Sequence, residues 1–288
     1  MGNSIITEIV GSQILERMTS QLASWSAFST DCGDGTNEDG GTVVVAGVNA
    51  PATGGQAFGG SYATNSDSDV DKVSVTLNHY YTSFYLTDKE FNSSSANRLA
   101  NLVGTKANAF GGFLTKELSK IVTTANYGAG VVKTNASYDI ATIKALKSAL
   151  DTKGAPLEDR ALVLDSAVLG NVLPSTIETL GNEVLQEGTV RRIYGADVYA
   201  TNSLDATAKC NAFLAHKSAI AIASRRPRVQ DSSSLIDVAN FEIPNLGLDV
   251  QYKSFMDNLT NKHYGIIECL AGVAVGNDAG LVWNKTSA

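Results

Sequence analysis

Residues 93–125, SSSANRLANLVGTKANAFGGFLTKELSKIVTTA, carry the pattern on which the fold turns. Leu99, Leu102 and Val103 recur eleven residues later as Phe110, Phe113 and Leu114, and partly again as Ile121 and Ala125. An apolar stripe with that period stays on one side of a nearly straight helix, about 45 Å long at the ~1.5 Å rise per residue. Gly104, Gly111 and Gly112 sit inside it, each costing about 1 kcal/mol relative to alanine, so they mark a bend or a close approach. Ser93, Ser94 and Ser95 are candidate N-caps, and Tyr127-Gly128-Ala129-Gly130 is the expected end.

Upstream, Ile6, Val10, Ile14, Met18 and Leu22 fall at i+4 spacing, which predicts an amphipathic helix over residues 4–24. Its narrow apolar face needs a partner, and the acidic, glycine-rich stretch Thr30 to Gly41 separates it from everything downstream, so it reads as an arm. Thr42 to Leu86 reads as an extended hairpin: Val43-Val44-Val45 go out, a glycine-rich tip spans about Gly54 to Ser68, and Val73, Val75, Leu77 and His79 alternate on the return. The apolar parity then switches to Phe84 and Leu86, which predicts a bulge or twist near Tyr80 and Tyr81. Isolated two-stranded hairpins are marginal in water, so a long one is expected to be held by another subunit.

Downstream, residues 137–224 alternate helix and strand. Ile140, Ile143, Leu146 and Leu150 define a helix stopped by Gly154-Ala155-Pro156, and Ala161 to Leu164 is a short buried strand. Asp165 or Ser166 caps a further helix that Pro174 ends, and another helix leads to Gly188. Strands are expected at Val190 to Tyr194, Val198 to Thr201 and Phe213 to His216, and a short helical run at Ser218 to Ala223. Beyond residue 240 the pattern is antiparallel: Leu248 to Met256, a polar turn, then His263 to Val275.

A chain of 288 residues can bury a large core, and 43% hydrophobic content places it among globular proteins. Its 18% charged residues fall below the roughly 25% usual for soluble domains, which points to a surface that meets other protein more than water. The net charge of −7 argues against a sequence-reading nucleic-acid binder. Cys32, Cys210 and Cys269 are odd in number, widely spaced and without a zinc-like pairing, so reduced thiols are expected. No apolar run approaches the ~18 residues of a spanning helix.

No constellation carries catalysis, a cofactor or a metal. His79, His216 and His263 stand in strand contexts without a partner at i+3 or i+4, and read as packing or surface residues. Gly59-Gly60-Ser61-Tyr62-Ala63 lacks the final glycine of a nucleophile elbow. Gly130-Val131-Val132-Lys133-Thr134 lacks the glycine next to the lysine that a phosphate loop needs. Asp67, Asp69 and Asp71 alternate like the start of a calcium loop, but Lys72 and Asn78 replace the required glycine and glutamate, so a solvated acidic turn is expected. Arg225, Arg226 and Arg228 form a basic cluster that could contact nucleic-acid phosphate, pair with the Asp67 to Asp71 or Asp31 to Asp39 segment of a neighbouring copy, or cap the C-terminus of the preceding short helix, intersubunit or local pairing being favoured. Arg191 and Arg192 alternate on a strand, so at most one points inward.

The order of these elements, together with local passages, resembles the tailed-phage major capsid proteins of the Hong Kong 97-like fold. Arg160-Ala161-Leu162-Val163-Leu164-Asp165 resembles the family's central strand. Gly188-Thr189-Val190-Arg191-Arg192-Ile193-Tyr194-Gly195, running on through Val198 to Thr201-Asn202, resembles its G-x-V-x-x-I-x-G passage. Ala212 to His216 with Ala219 to Ala223, and Lys262 to Ile267 with Ala271 to Val275, resemble later strands. The resemblance implies an α+β capsid fold divided into an N-terminal arm (1–41), an extended hairpin or E-loop (42–86), a peripheral domain with the spine helix (87–136 and 225–288) and an axial domain (137–224). It further implies a non-enzymatic shell protein without cofactor, forming pentamers and hexamers of an icosahedral virion shell assembled in the bacterial cytoplasm. The implied partners are a portal, separate scaffold or decoration proteins, and double-stranded DNA contacted weakly. An encapsulin-like compartment, which would have a peptide-binding pocket beside the arm, is the alternative. Lysine–asparagine crosslinks known in some members are not expected, because nothing in the sequence pairs such residues.

Overall fold

The computed structural model describes residues 2–33, 42–46, 72–87, 96–172, 192–204, 209–228, 235–244, 246–257 and 259–286. Helix α1 (Gly2–Leu22) leads through a 3-10 turn (Ala23–Ala27) to strand β1 (Ser29–Gly33). Strands β2 (Thr42–Ala46), β3 (Lys72–Thr76) and β4 (Asn78–Thr87) precede the long helix α2 (Ala96–Ser119).

The long helix forms where the 11-residue stripe predicts it, but stops at Ser119, short of the expected Tyr127. Ser119 Oγ donates back to the Lys116 carbonyl at 2.8 Å, and after a turn Thr123 caps a separate one-turn helix, α3 (Thr124–Tyr127). Side-chain bonding of this kind competes with the helical ladder, and periodicity does not register it.

The apolar stripe of helix α1, expected to need a partner, finds one within the same chain. Val10, Ile14, Met18 and Leu22 are buried in one core with Val103, Ala107, Phe110, Leu114 and Leu118 of α2. The two helices run parallel: Gln13 lies beside Gly104, and Gln21 beside Gly111. A Cβ on Gly111 would stand 2.9 Å from the Gln21 Cβ. The helix-interior glycines are thus contact points where α1, and at Gly112 the Ser203 hydroxyl, approach the α2 backbone. Thr115 Oγ1 donates to the Gln21 carbonyl at 3.0 Å and ties the end of α1 to α2.

The first sheet has the order β1, β10 (Ile220–Arg225), β13 (Lys262–Val275), β12 (Leu248–Asp257), β11 (Leu235–Ile243), and β4 pairs along the other side of β13. Residues 220–223, read above as part of a short helix, are strand β10. The sequence Ile220-Ala221-Ile222-Ala223 is buried on both sides, by the helices on one and by the hairpin root on the other, and a doubly buried strand has no polar alternation to betray it. The β12–β13 ribbon follows the expected register, Asp257 opposite Lys262. Strand β11 is an addition to the expected set.

The hairpin forms at its root, β2 against β3 with Val43 opposite Val75. The return strand breaks at Leu77, three to four residues before the expected bulge; β4 runs unbroken through Tyr80 and Tyr81 in register with β13. The apolar parity switches because the chain changes partners: Val75 packs on Ala221 and Ala223, outside the first sheet, whereas Phe84 points to the helices. Gly265, opposite Phe84, leaves room for that ring.

The second sheet has the order β5 (Val131–Val132), β14 (Leu281–Lys285), β9 (Cys210–His216), β6 (Arg160–Asp165), β8 (Ala196–Thr201), β7 (Arg192–Ile193). Helix α4 (Ile140–Thr152), N-capped by Asp139, packs Ile143, Leu146 and Leu150 against Leu162, Leu164 and Leu214. Asp165 accepts from the Ala167 amide at 2.9 Å at the start of α5 (166–172). The alternate residues Ala161, Val163, Phe213 and Trp283 join the first core, so this sheet is the wall between two cores. The last strand, β14, thus lies in this sheet and not with β12 and β13. Trp283 donates to the Gly128 carbonyl at 3.1 Å and is 1% exposed. Trp283→Ala is expected to cost about 3–5 kcal/mol, read as a lowered denaturant midpoint.

Buried Arg160 closes the α4 corner, donating to Asp151 at 2.6 Å and to the Ala155 and Pro156 carbonyls at 2.8 and 2.6 Å. Asp151 also accepts from Lys147 at 2.7 Å, and Lys147 first, then Arg160, hold its carboxyl below the usual range. A carboxyl depressed by folding contributes stability that is complete above its unfolded pKa, ~3.9, and lost as pH falls through the folded value. Asp151→Asn should therefore flatten the acid limb of a stability–pH curve below about pH 4; urea midpoints over that range check it.

Candidate interaction surfaces

One side of the first sheet packs on α1 and α2 through Phe84, Tyr252, Ile267 and Cys269. The opposite side is covered near β10 by Val75 of the hairpin root and at Gln251 by the segment after β10, whose Pro227 carbonyl accepts from the Gln251 amide at 3.4 Å; among the described residues it is open along β4, at Tyr81 and Tyr85. The registers of β4, β13 and β12 align Tyr85, Tyr264 and Phe255 in one row across that open side. Phe255 and Tyr264 stack at 5.1 Å and 9°, Tyr264 and Tyr85 meet at 5.8 Å, and the Lys262 ammonium sits 4.2 Å above the Tyr85 ring. Tyr81 and Tyr85 are 64% and 52% exposed, and at the ribbon tip Leu259 is 96% exposed. A solvated sheet face ordinarily carries polar residues; a contiguous aromatic row marks a place for protein contact.

The row is braced by charge. Glu268 is 5% exposed and is held by Lys253 and by His79, whose Nε2 lies 3.2 Å from Oε2. A buried carboxylate is tolerated when so paired. The pairing ties β4, β12 and β13 together behind Tyr81.

A second feature is a cleft of about 530 Å³ lined by Gln21, Asn108, Phe113, Lys116, Ser203 and Leu204, among others, between the end of α1, one side of α2 and the segment after β8. Gln21 donates to Asn108 at 3.0 Å across its rim.

The residues singled out in the sequence are dispersed. His79 pairs with Glu268; His216 accepts from the Ser218 amide at 3.2 Å, with burial holding its imidazole below the ordinary value; His263 lies on β13 near the ribbon tip. Among the described residues no three His, Cys, Asp or Glu side chains are grouped to hold a metal. Arg226 pairs with Asp249 at 3.4 Å and Arg225 donates to the Ser224 carbonyl at 2.8 Å, which is local pairing; Arg228 is exposed. Arg192 faces solvent near Asp197, and Arg191 lies outside the described residues. Cys210, whose Sγ donates to the Ala212 carbonyl at 3.7 Å, and Cys269 are both buried, and burial pushes the Cys269 thiol up. Val131 and Val132 form edge strand β5 beside β14. Asp67, Asp69, Asp71 and the stretch Gly59 to Ala63 lie outside the described residues. The aromatic row was missed in the sequence, although Tyr81 and Tyr85 alternate with Ser83 on the parity opposite Phe84, a signal of a strand apolar on both sides.

No family model matches the sequence, and no curated protein does. Solved structures match its shape. The capsid of cyanophage P-SCSP1u is 10% identical with a TM-score of 0.56, covering 91% of this chain and 86% of that one. A structure from Mycobacterium phage Che8 is 16% identical, TM-score 0.52, covering 94% and 89%. The virus-like particle from Pyrococcus furiosus is 11% identical, TM-score 0.60, covering 96% and 98%. The chain has the α+β capsid fold that the sequence resemblance implied.

Proposed function

We propose that this chain is the major capsid protein of a tailed double-stranded DNA phage, assembling through pentamers and hexamers into the icosahedral shell that encloses the genome. The observation that carries the reading is the capsid fold, spanning more than nine-tenths of the chain. The open aromatic row supports it, because an exposed surface of that kind is buried in an assembly. The role is structural, not catalytic. In this reading the hairpin and the first sheet with α2 form the extended and peripheral parts, and the second sheet with α4 forms the axial part; β10 goes with the peripheral sheet and β14 with the axial one. The N-terminal segment is a fixed part of the subunit as far as Phe28. A portal, a separate scaffold or decoration protein and the packaged DNA are the partners, the DNA held weakly since the chain carries a net charge of −7. The shell is built in the host cytoplasm and ends in the virion.

The cleft beside α1 favours a second reading, a microbial compartment shell that captures a cargo peptide there. Nuclease-treated particles from the native source separate the two: protected genome-length DNA supports the capsid, and a co-purifying enzyme without DNA supports the compartment.

A further inference from the structure

No further inference is drawn: the strongest candidate, the aromatic row of Phe255, Tyr264 and Tyr85 on the open side of the first sheet, belongs to the assembly surface already described, and nothing in the structure shows which element of a partner covers it.

Discussion

Serine in place of both Tyr85 and Tyr264 is expected to abolish shell formation while leaving the subunit folded. Both rings lie on the side of the first sheet that faces away from α1 and α2, where Tyr85 is 52% exposed, so their removal takes little from the core that the helices build on the other side. Surface substitutions of this kind ordinarily move stability by about 0.5 kcal/mol or less. Aromatic anchors at the centre of an interface are worth about 2 kcal/mol or more each, and a shell repeats the loss at every subunit contact. Sedimentation alongside circular dichroism checks the prediction: a folded, slowly sedimenting subunit is expected. Wild-type shells from the double variant would mean that this side faces solvent in the particle.

Deleting residues 1–22 is expected to unfold the subunit. Val10, Ile14, Met18 and Leu22 are each at most 1% exposed, and burying side chains of this size contributes roughly 1.5–3 kcal/mol apiece, an upper bound set by the extended-chain reference. Four of them approach the whole stability of a typical domain, about 5–15 kcal/mol. The single change Met18→Ala should cost about 2–5 kcal/mol, and Gly111→Leu should be comparably harmful because its side chain must displace Gln21. Denaturant titration of the full chain and its variants measures this. A truncated chain that stays folded but cannot assemble would mean that the helix acts as an arm between subunits.

These two predictions mark where the sequence is legible and where it is not. Periodicity exposes helices with one buried side: α1, α2 and α4 form where their stripes fall, although α2 ends at Ser119, before the last repeat of its stripe. Periodicity says nothing of which surface an apolar stripe will meet. The stripe of α1 could equally have met a neighbour; only the spacing of Gly104 and Gly111 against Gln13 and Gln21, a contact between helices some 90 positions apart in the chain, places it within the subunit. Strand β10 was misread because alanine and isoleucine alternate between two buried sides, where no polar residue distinguishes strand from helix. The break at Leu77 was displaced because the parity change reflects a change of partner, from β2 to β13, and not a bulge within one ladder. The aromatic row required registers across three strands that are separated in sequence by more than 160 residues between Tyr85 and Phe255.

The most direct test of shell formation is negative-stain electron microscopy with light scattering on the purified chain, alone and with its neighbouring gene products. Closed particles of uniform size, lost in the Tyr85 and Tyr264 double variant, are the predicted result. A folded monomer that stays monodisperse at every concentration and with every neighbouring product would contradict the account.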